Sequence, residues 1–299
     1  MTSPLFSVVL RTMNRPDFLR GALEGLAAQE LRDFETVVVN DGGQDVADVI
    51  EPFRESARVQ YVNVQPNIGR CAAGNRGIQE ARGKYISWHD DDDLYYPNHL
   101  STLAEVLEAG EYQAAYTDAY EIKQTLRDGV YETTSKQVVL SNDFHPMRFF
   151  QDCPFHLVTF AHRKSCVERL GGFDETLDVL EDWDLFFRLS QDYTFKHIAV
   201  PTAEYRIRDD GSQAITTMRE EFANTREQLF GKYFHTMIPS FVQLYFEQTD
   251  RMATLEARIQ ELEQRLSQAD AAADSTKDPG DASSSGRGRR GLSSLFRPK

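Results

Sequence analysis

No stretch of the chain approaches the ~20 consecutive apolar residues that a bilayer-spanning helix needs, and the first residues lack the pattern of a secretory signal. Cysteine is scarce: Cys71, Cys153 and Cys166 are odd in number and lack metal-type spacing, which argues against a disulfide framework or a zinc module. These absences predict a protein of the reduced cytoplasm. A basic field is missing too. The 33 Lys and Arg residues stand against 47 Asp and Glu, a net charge of −14, which argues against wholesale nucleic-acid binding. What is present, 299 residues at 40% hydrophobic composition, suffices for one large α/β domain plus an appendage.

Negative charge is concentrated at one place. Asp90 to Asp93 follow the apolar run Tyr85-Ile86-Ser87-Trp88 and precede Leu94-Tyr95-Tyr96-Pro97. A strand ending in four carboxylates is a poor core element, but it suits a divalent cation held against phosphate oxygens. Mg²⁺ and Mn²⁺ take hard oxygen ligands, and one or two carboxylates plus substrate phosphates usually suffice. A solvated acidic loop is the bland alternative.

Apolar runs at Phe6–Leu10, Phe34–Val39, Val59–Val64 and Lys84–Trp88 predict four strands, separated by helical patterns after Asn14 and after Gly69. Asn14 or Thr12 is expected to cap the first helix, whose first turn carries Pro16 and Asp17. Strands alternating with helices indicate a parallel sheet, and ligands bind such sheets beyond the carboxyl ends of the strands. Thr12, Asp41, Asn67, Arg70 and the aspartate run all fall at or just after those ends, so they should converge on one edge. Farther on the pattern predicts a helix over Pro97–Ala109, a strand near Gln113–Asp118, a hairpin at Arg127-Asp128-Gly129 and a strand over Phe155–Ala161. A helix opening at Glu181 and a strand over Phe195–Val200 follow.

The order Ser7 to Pro16, Val38 to Gly43, Asn67-Ile68-Gly69 with Asn75-Arg76-Gly77, the aspartates, Gly171 to Glu175 and Glu181 to Leu185 resembles a family 2 glycosyltransferase. The resemblance covers roughly residues 5 to 210. It implies the GT-A fold: a mixed, mostly parallel sheet flanked by helices, with a Rossmann-like nucleotide-binding half. It also implies inverting, hexosyltransferase-like transfer from a nucleotide-diphosphate sugar, UDP- or dTDP-sugar favoured, to a hydroxyl of a glycan or lipid-linked acceptor. The setting it implies is cell-surface polysaccharide biosynthesis, with Mn²⁺ or Mg²⁺ as cofactor.

By that resemblance Asp182 is the catalytic base, Asp92 the metal-binding carboxylate, and Asp90 and Asp91 lie near the ribose and diphosphate. Asp41 would accept the imide N–H of a pyrimidine, although guanine offers matching donors and a turn-forming Asp before Gly-Gly is the alternative. Arg70 would donate to a base carbonyl or a phosphate, and Thr12 closes the first strand beside them. Glu181 pairs with Asp182 at a helix start, where acids are favoured in any case. Trp183 is either an acceptor platform or a buried core residue. Arg206 or Arg208, after the last strand, would close over the diphosphate. A non-catalytic nucleotide-sugar-binding scaffold, recruiting partners through a C-terminal helix, is the competing reading. A nucleotidyltransferase is disfavoured because Thr12-Met13-Asn14-Arg15 supplies no Gly-rich basic loop.

The resemblance ends before the C-terminal third. Residues 1–214 are expected to form the transferase domain, 215–269 a helical extension and 270–299 a disordered basic tail. Phe241, Tyr245, Met252, Leu255, Ile259, Leu262 and Leu266, with polar Gln248 in series, follow alternating steps of three and four. That is a seam of about four heptads, read either as a coiled coil joining copies of the chain or as an amphipathic helix docked on its own domain. Gly286 to Lys299 carry five basic residues, no acid, and Leu292, Leu295 and Phe296. Such a tail either touches the anionic inner face of a membrane or is inert.

Overall fold

A computed structural model of the chain describes residues 3–145, 153–211 and 217–275. Of the expected disordered tail, 270–299, residues 270–275 instead continue the last helix, and 276 onward lies outside the described residues. The chain divides into two compact units, Met1–Phe241 and Val242–Lys299.

The first unit is built on one nine-stranded mixed sheet. Its nucleotide-binding half has strands β1 (Phe6–Thr12), β2 (Phe34–Asp41), β3 (Val59–Val64) and β4 (Tyr85–Asp90), all parallel, in the order β3-β2-β1-β4. Every residue of β1 and β2 is buried, as a strand covered on both faces requires, and each carries an apolar centre, Val8-Val9-Leu10 and Val37-Val38-Val39, between buried polar residues. Alternation sends Val8 and Leu10 into a core with Leu19, Leu23 and Leu26 of α1 (Pro16–Ala27). Val9 points the other way, toward Trp88, Phe160 and Phe186.

The second half adds β8 (Phe160–Arg163) antiparallel to β4, then β6 (Ala114–Arg127), β9 (Phe195–Arg208) and the short β5 (Leu94–Tyr95). β7 (Val130–Val139) folds back on β6 through Asp128-Gly129, whose φ values of 49° and 80° make the two-residue turn the sequence announces. The remaining helices are α2 (Ala47–Ile50), α3 (Arg70–Glu80), α4 (His99–Glu108), α5 (Lys164–Arg169) and α6 (Glu181–Asp192). A last helix, α7 (Arg219–Ser275), runs through both units.

Two local expectations fail. Neither Thr12 nor Asn14 caps α1: the Thr12 hydroxyl donates to Asp91, and Asn14, at φ 58°, accepts from the Gln44 N–H at 2.8 Å. The strand expected over Phe155–Ala161 begins only at Phe160. The Thr159 hydroxyl and N–H both donate to the His156 carbonyl, at 2.8 and 3.0 Å, and close a single 3₁₀ turn over Leu157–Thr159 instead.

Within the first unit the start of α7 packs on α6. Leu229 is buried with Trp183 and Phe187, and Tyr233 packs on Phe187 at 4.3 Å between ring centroids. Lys232 donates to Asp174 at 2.8 Å and to the buried Asp184 at 2.9 Å, and the Tyr233 hydroxyl also donates to Asp184.

Candidate active site

Register places the strand ends level. Arg11 on β1 faces Asp90 on β4, Thr12 faces Asn40, and Asp41 faces Val64. A guanidinium at the end of a fully buried strand is costly unless it is paired. Arg11 is paired on every side. Its Nε donates to Asp90 Oδ1 at 3.0 Å and its Nη2 to both Asp90 oxygens at 2.8 and 3.1 Å. Its Nη1 reaches Glu181 Oε1 at 3.0 Å and the Arg70 carbonyl at 3.3 Å. One cation thus joins β1, β4, α3 and the first turn of α6. Burial alone would raise the Asp90 carboxyl, but the charges of Arg11, Arg70 and Arg15 hold it below the ordinary range.

The other aspartates are handled differently. Asp91, 1% exposed, accepts from Thr12 Oγ1 at 2.7 Å and pairs with Arg15 Nη2 at 2.5 Å. Burial, with the charge of Asp92 beside it, nevertheless pushes its carboxyl up to about 7. Asp93 accepts the Arg206 N–H at 3.1 Å and is driven well upward by burial and then by Asp92 and Asp90. Asp92 pairs with Arg15 Nη1 at 3.1 Å, and Arg208 lies 3.9 Å from its carboxylate while donating to its carbonyl at 3.1 Å. Arg208 is itself buried, 4.3 Å over the Phe18 ring and 5.1 Å over Tyr131.

This crowd of carboxylates fits a hard cation in its donor chemistry. Among the described residues no three His, Cys, Asp or Glu side chains are grouped to hold a metal alone. An ion here would therefore take one or two aspartates and complete its shell with phosphate oxygens and water.

Beside the run, Asp41 is held at the end of β2. Its Oδ1 accepts the Ile68 N–H at 2.8 Å and its Oδ2 accepts from Asn67 Nδ2 at 2.9 Å. Gly42, at φ +75°, lets this loop close: a Cβ there would lie 2.3 Å from the Asn67 nitrogen. A carboxylate has about four acceptor positions, so both Asp41 oxygens keep capacity for a ligand donor.

Leu180, in the left-handed region at φ 59°, turns the chain into α6 so that Glu181, Asp182 and Asp184 fill the first turn. Asp182 is half-buried. Burial and the neighbouring Glu181 push its carboxyl up to about 7, against the pull of Arg70 and Arg11. Arg70 Nη1 lies 3.6 Å from Glu181 Oε2. The Tyr205 phenol, stacked on His156 at 4.0 Å, is raised by burial and then by the charges of Asp93, Asp92 and Asp182.

Arg11 thus ties together Asp90, Glu181 and Arg70, and Arg15 ties Asp91, which accepts from Thr12, to Asp92, with Asp182 next in chain to Glu181. Asp41 stands in its own set of hydrogen bonds with Asn67 and Ile68. Trp183 is 4% exposed and lies in the core, edge-on to Phe230 at 5.7 Å, so of its two readings the geometry matches the packing one. The last strand runs past its expected end at Val200, so both candidate arginines lie within β9: Arg206 turns its guanidinium to Glu204, at 2.9 and 2.7 Å, while Arg208 faces Asp92. Sequence reasoning missed Arg11 and Arg15. The available signal for Arg11 was a charge inside an otherwise apolar strand, which has to find a partner.

Residues 7–169 match the model of Glycosyl transferase family 2, a span that ends before α6. A curated relative, the uncharacterized glycosyltransferase YwdF of Bacillus subtilis, is 29% identical over 206 residues, covering 69% of this chain and 75% of that protein. The putative colanic acid biosynthesis glycosyl transferase WcaA of Escherichia coli is 24% identical over 241 residues, covering 78% of this chain and 80% of that protein. Among solved structures, S. aureus TarS with UDP-GlcNAc superposes with TM-score 0.57 at 18% identity, covering 68% of this chain and 59% of that one. The mannosyltransferase PcManGT of Pyrobaculum calidifontis, with GDP-Man and Mn²⁺, gives TM-score 0.58 at 18% identity, covering 79% and 65%. The likeness to these structures is one of fold, and the sheet described above is of the GT-A type. With more than half of its residues inside the family match and its sheet of the same architecture, the chain belongs to glycosyl transferase family 2.

Proposed function

We propose that this protein is an inverting, metal-dependent transferase that moves a sugar from a UDP- or dTDP-sugar to a hydroxyl of a glycan or lipid-linked acceptor. One observation carries the reading. Asp182, half-buried with its carboxyl pushed up to about 7, stands beside a Glu181 that shares the Arg11 guanidinium with Asp90. A group poised near the operating pH is suited to take a proton. Asp182 removes the acceptor hydroxyl proton as that oxygen attacks the anomeric carbon. The bond from that carbon to the diphosphate oxygen breaks, its electron pair leaving on the phosphate, and attack opposite the leaving group inverts the centre.

The chain's own cations and acids divide the remaining work. Arg208 and Arg15 stand beside Asp92, where the diphosphate charge develops, and Arg70 is within reach of phosphate or base. Asp90 and Asp91 serve the ribose and diphosphate, and Asp41 the base. Asp92 would hold Mn²⁺ or Mg²⁺, which when bound supplies Lewis-acid neutralisation of the leaving group. Bound UDP-GlcNAc in TarS and bound GDP-Man with Mn²⁺ in PcManGT support a nucleotide-sugar donor and a cation. The role named for WcaA supports polysaccharide biosynthesis as the setting. No helix among the described residues is long and apolar enough to cross a membrane, so a lipid-linked acceptor would be met at the membrane surface.

A thermal-shift screen of UDP-, dTDP- and GDP-sugars with and without Mn²⁺, followed by donor hydrolysis, tests the reading, because a ligand of the folded state raises its apparent stability. The expected result is a Mn²⁺-dependent rise with a UDP- or dTDP-sugar that Asp92→Ala removes. A response confined to GDP-sugars corrects the donor, and no response and no hydrolysis with any donor overturns the enzyme.

A further inference from the structure

We propose that residues 245–268 pair with a second copy of this chain as a parallel, in-register, two-stranded coiled coil. The observation is a helix in the second unit with an apolar face left open along its whole described length. Taking Met252, Ile259 and Leu266 as position a of successive heptads, with Tyr245 one heptad earlier, puts Leu255 and Leu262 at d. In the single chain Met252 is 58% exposed, Leu255 50%, Ile259 55%, Leu262 49% and Leu266 65%. A stripe of this length on one helix face marks an interaction surface. At its centre Ile259 at a sits between Leu255 and Leu262 at d, the combination that favours two strands.

The flanks specify the occupant and its direction. Position g is Arg251, Arg258 and Arg265, and position e is Glu256 and Glu263. In a parallel, in-register pair the g residue of one helix meets the e residue of the next heptad on the other. Arg251 then faces the partner's Glu256, and Arg258 faces the partner's Glu263, on both sides of the seam. An antiparallel pair sets g against g and e against e, Arg on Arg and Glu on Glu. The same surface that repels an antiparallel copy is complementary to a parallel one. In the single chain Arg258 and Arg265 pair instead with Glu261 at position c, an exposed arrangement that contributes little and is readily exchanged. The polar Gln248 at one d position costs stability and marks the register.

The 299-residue chain and two charge variants of it test this, each followed by light scattering across a concentration series to about 100 μM, the range expected for a seam of few heptads. The parent chain should approach twice its 34.1 kDa mass. Glu256→Arg with Glu263→Arg, and separately Arg251→Glu with Arg258→Glu and Arg265→Glu, should each weaken self-association about tenfold or more. A one-to-one mixture of the two should restore the dimer, because each then meets its opposite. Direction is read by Gln248→Cys in a Cys153→Ser background, since Cys71 and Cys166 are buried. Under diamide the introduced thiol should cross-link to its own copy, whereas an antiparallel pair would hold the two far apart. A parent chain that stays monomeric, charge variants that dimerise as well alone as mixed, or a dimer without the cross-link overturns the proposal. An unchanged thermal midpoint of the first unit in all variants shows that the fold is intact.

Discussion

Charge and apolar surface trade places between the two units. In Met1–Phe241 the side chains of Arg11, Asp91, Asp93, Glu181 and Asp184 are buried, and Leu229 of α7 is 1% exposed in a core of aromatic rings. In the unit that follows, Met252, Leu255, Ile259, Leu262 and Leu266 of that helix are each about half exposed or more, and Arg and Glu line the flanks of the stripe. The first arrangement is expensive: buried ion pairs seldom repay their desolvation, so a cluster of them at one sheet edge marks chemistry rather than stability. The second is cheap in the single chain and incomplete without a partner. Hydropathy alone separates these cases poorly, because both stretches of α7 carry apolar residues at helical spacing.

The comparison can be broken at either end. The largest effect belongs to Asp182→Asn, expected to lower kcat by about 10²–10⁴ while leaving the donor-induced thermal shift intact. Turnover at the parent rate would remove Asp182 from the reaction. Arg11→Met leaves Asp90 and Glu181 without their shared cation and should cost about 3–5 kcal/mol in urea unfolding. Arg258→Met, which loses only exposed partners, should stay within about 0.5 kcal/mol; equal losses would erase the contrast between the units. Leu229→Ala should destabilise the first unit by about 2–5 kcal/mol. In chain diluted below self-association, Leu262→Ala should change stability by less than about 0.5 kcal/mol. The smallest effect concerns pH. In the proposed role Asp182 can take a proton only when deprotonated, and burial with Glu181 beside it pushes its carboxyl up to about 7, so kcat/KM should fall as pH drops through that value. Glu181→Gln removes a neighbouring negative charge and should move that acid limb to lower pH, which a pH–rate profile reads directly.

β1, β2 and β4 were legible because strands buried on both faces carry apolar centres, while the edge strand β3, mostly half-buried and holding Gln60 and Asn63, showed only as alternation. The same logic located the aspartates and the start of α6. What local pattern could not supply was pairing across the chain. Arg11 and Glu181 are separated by 170 positions and Thr12 and Asp91 by 79. Thr12 looked like a cap because capping is the nearest use for a hydroxyl before Pro16, but a buried carboxylate was the stronger claimant. Arg208, which donates to the Asp92 carbonyl across 116 residues, could not be told from Arg206 by local pattern, because which of the two faces the aspartates depends on how β9 is seated. Trp183 was ambiguous for a related reason: only the packing of Phe230 shows which side of α6 is covered.

The guanidinium of Arg11 is flat and rigid, and its nitrogens keep fixed spacings. Asp90 grips one edge and Glu181 the nitrogen beside it, so a single ion acts as a caliper between the end of β4 and the head of α6. Drift of α6 away from the strand cannot be absorbed by stretching; it must release one grip and strand a charge. A lysine would offer a point charge in place of that two-sided fit, and the gauge would slip.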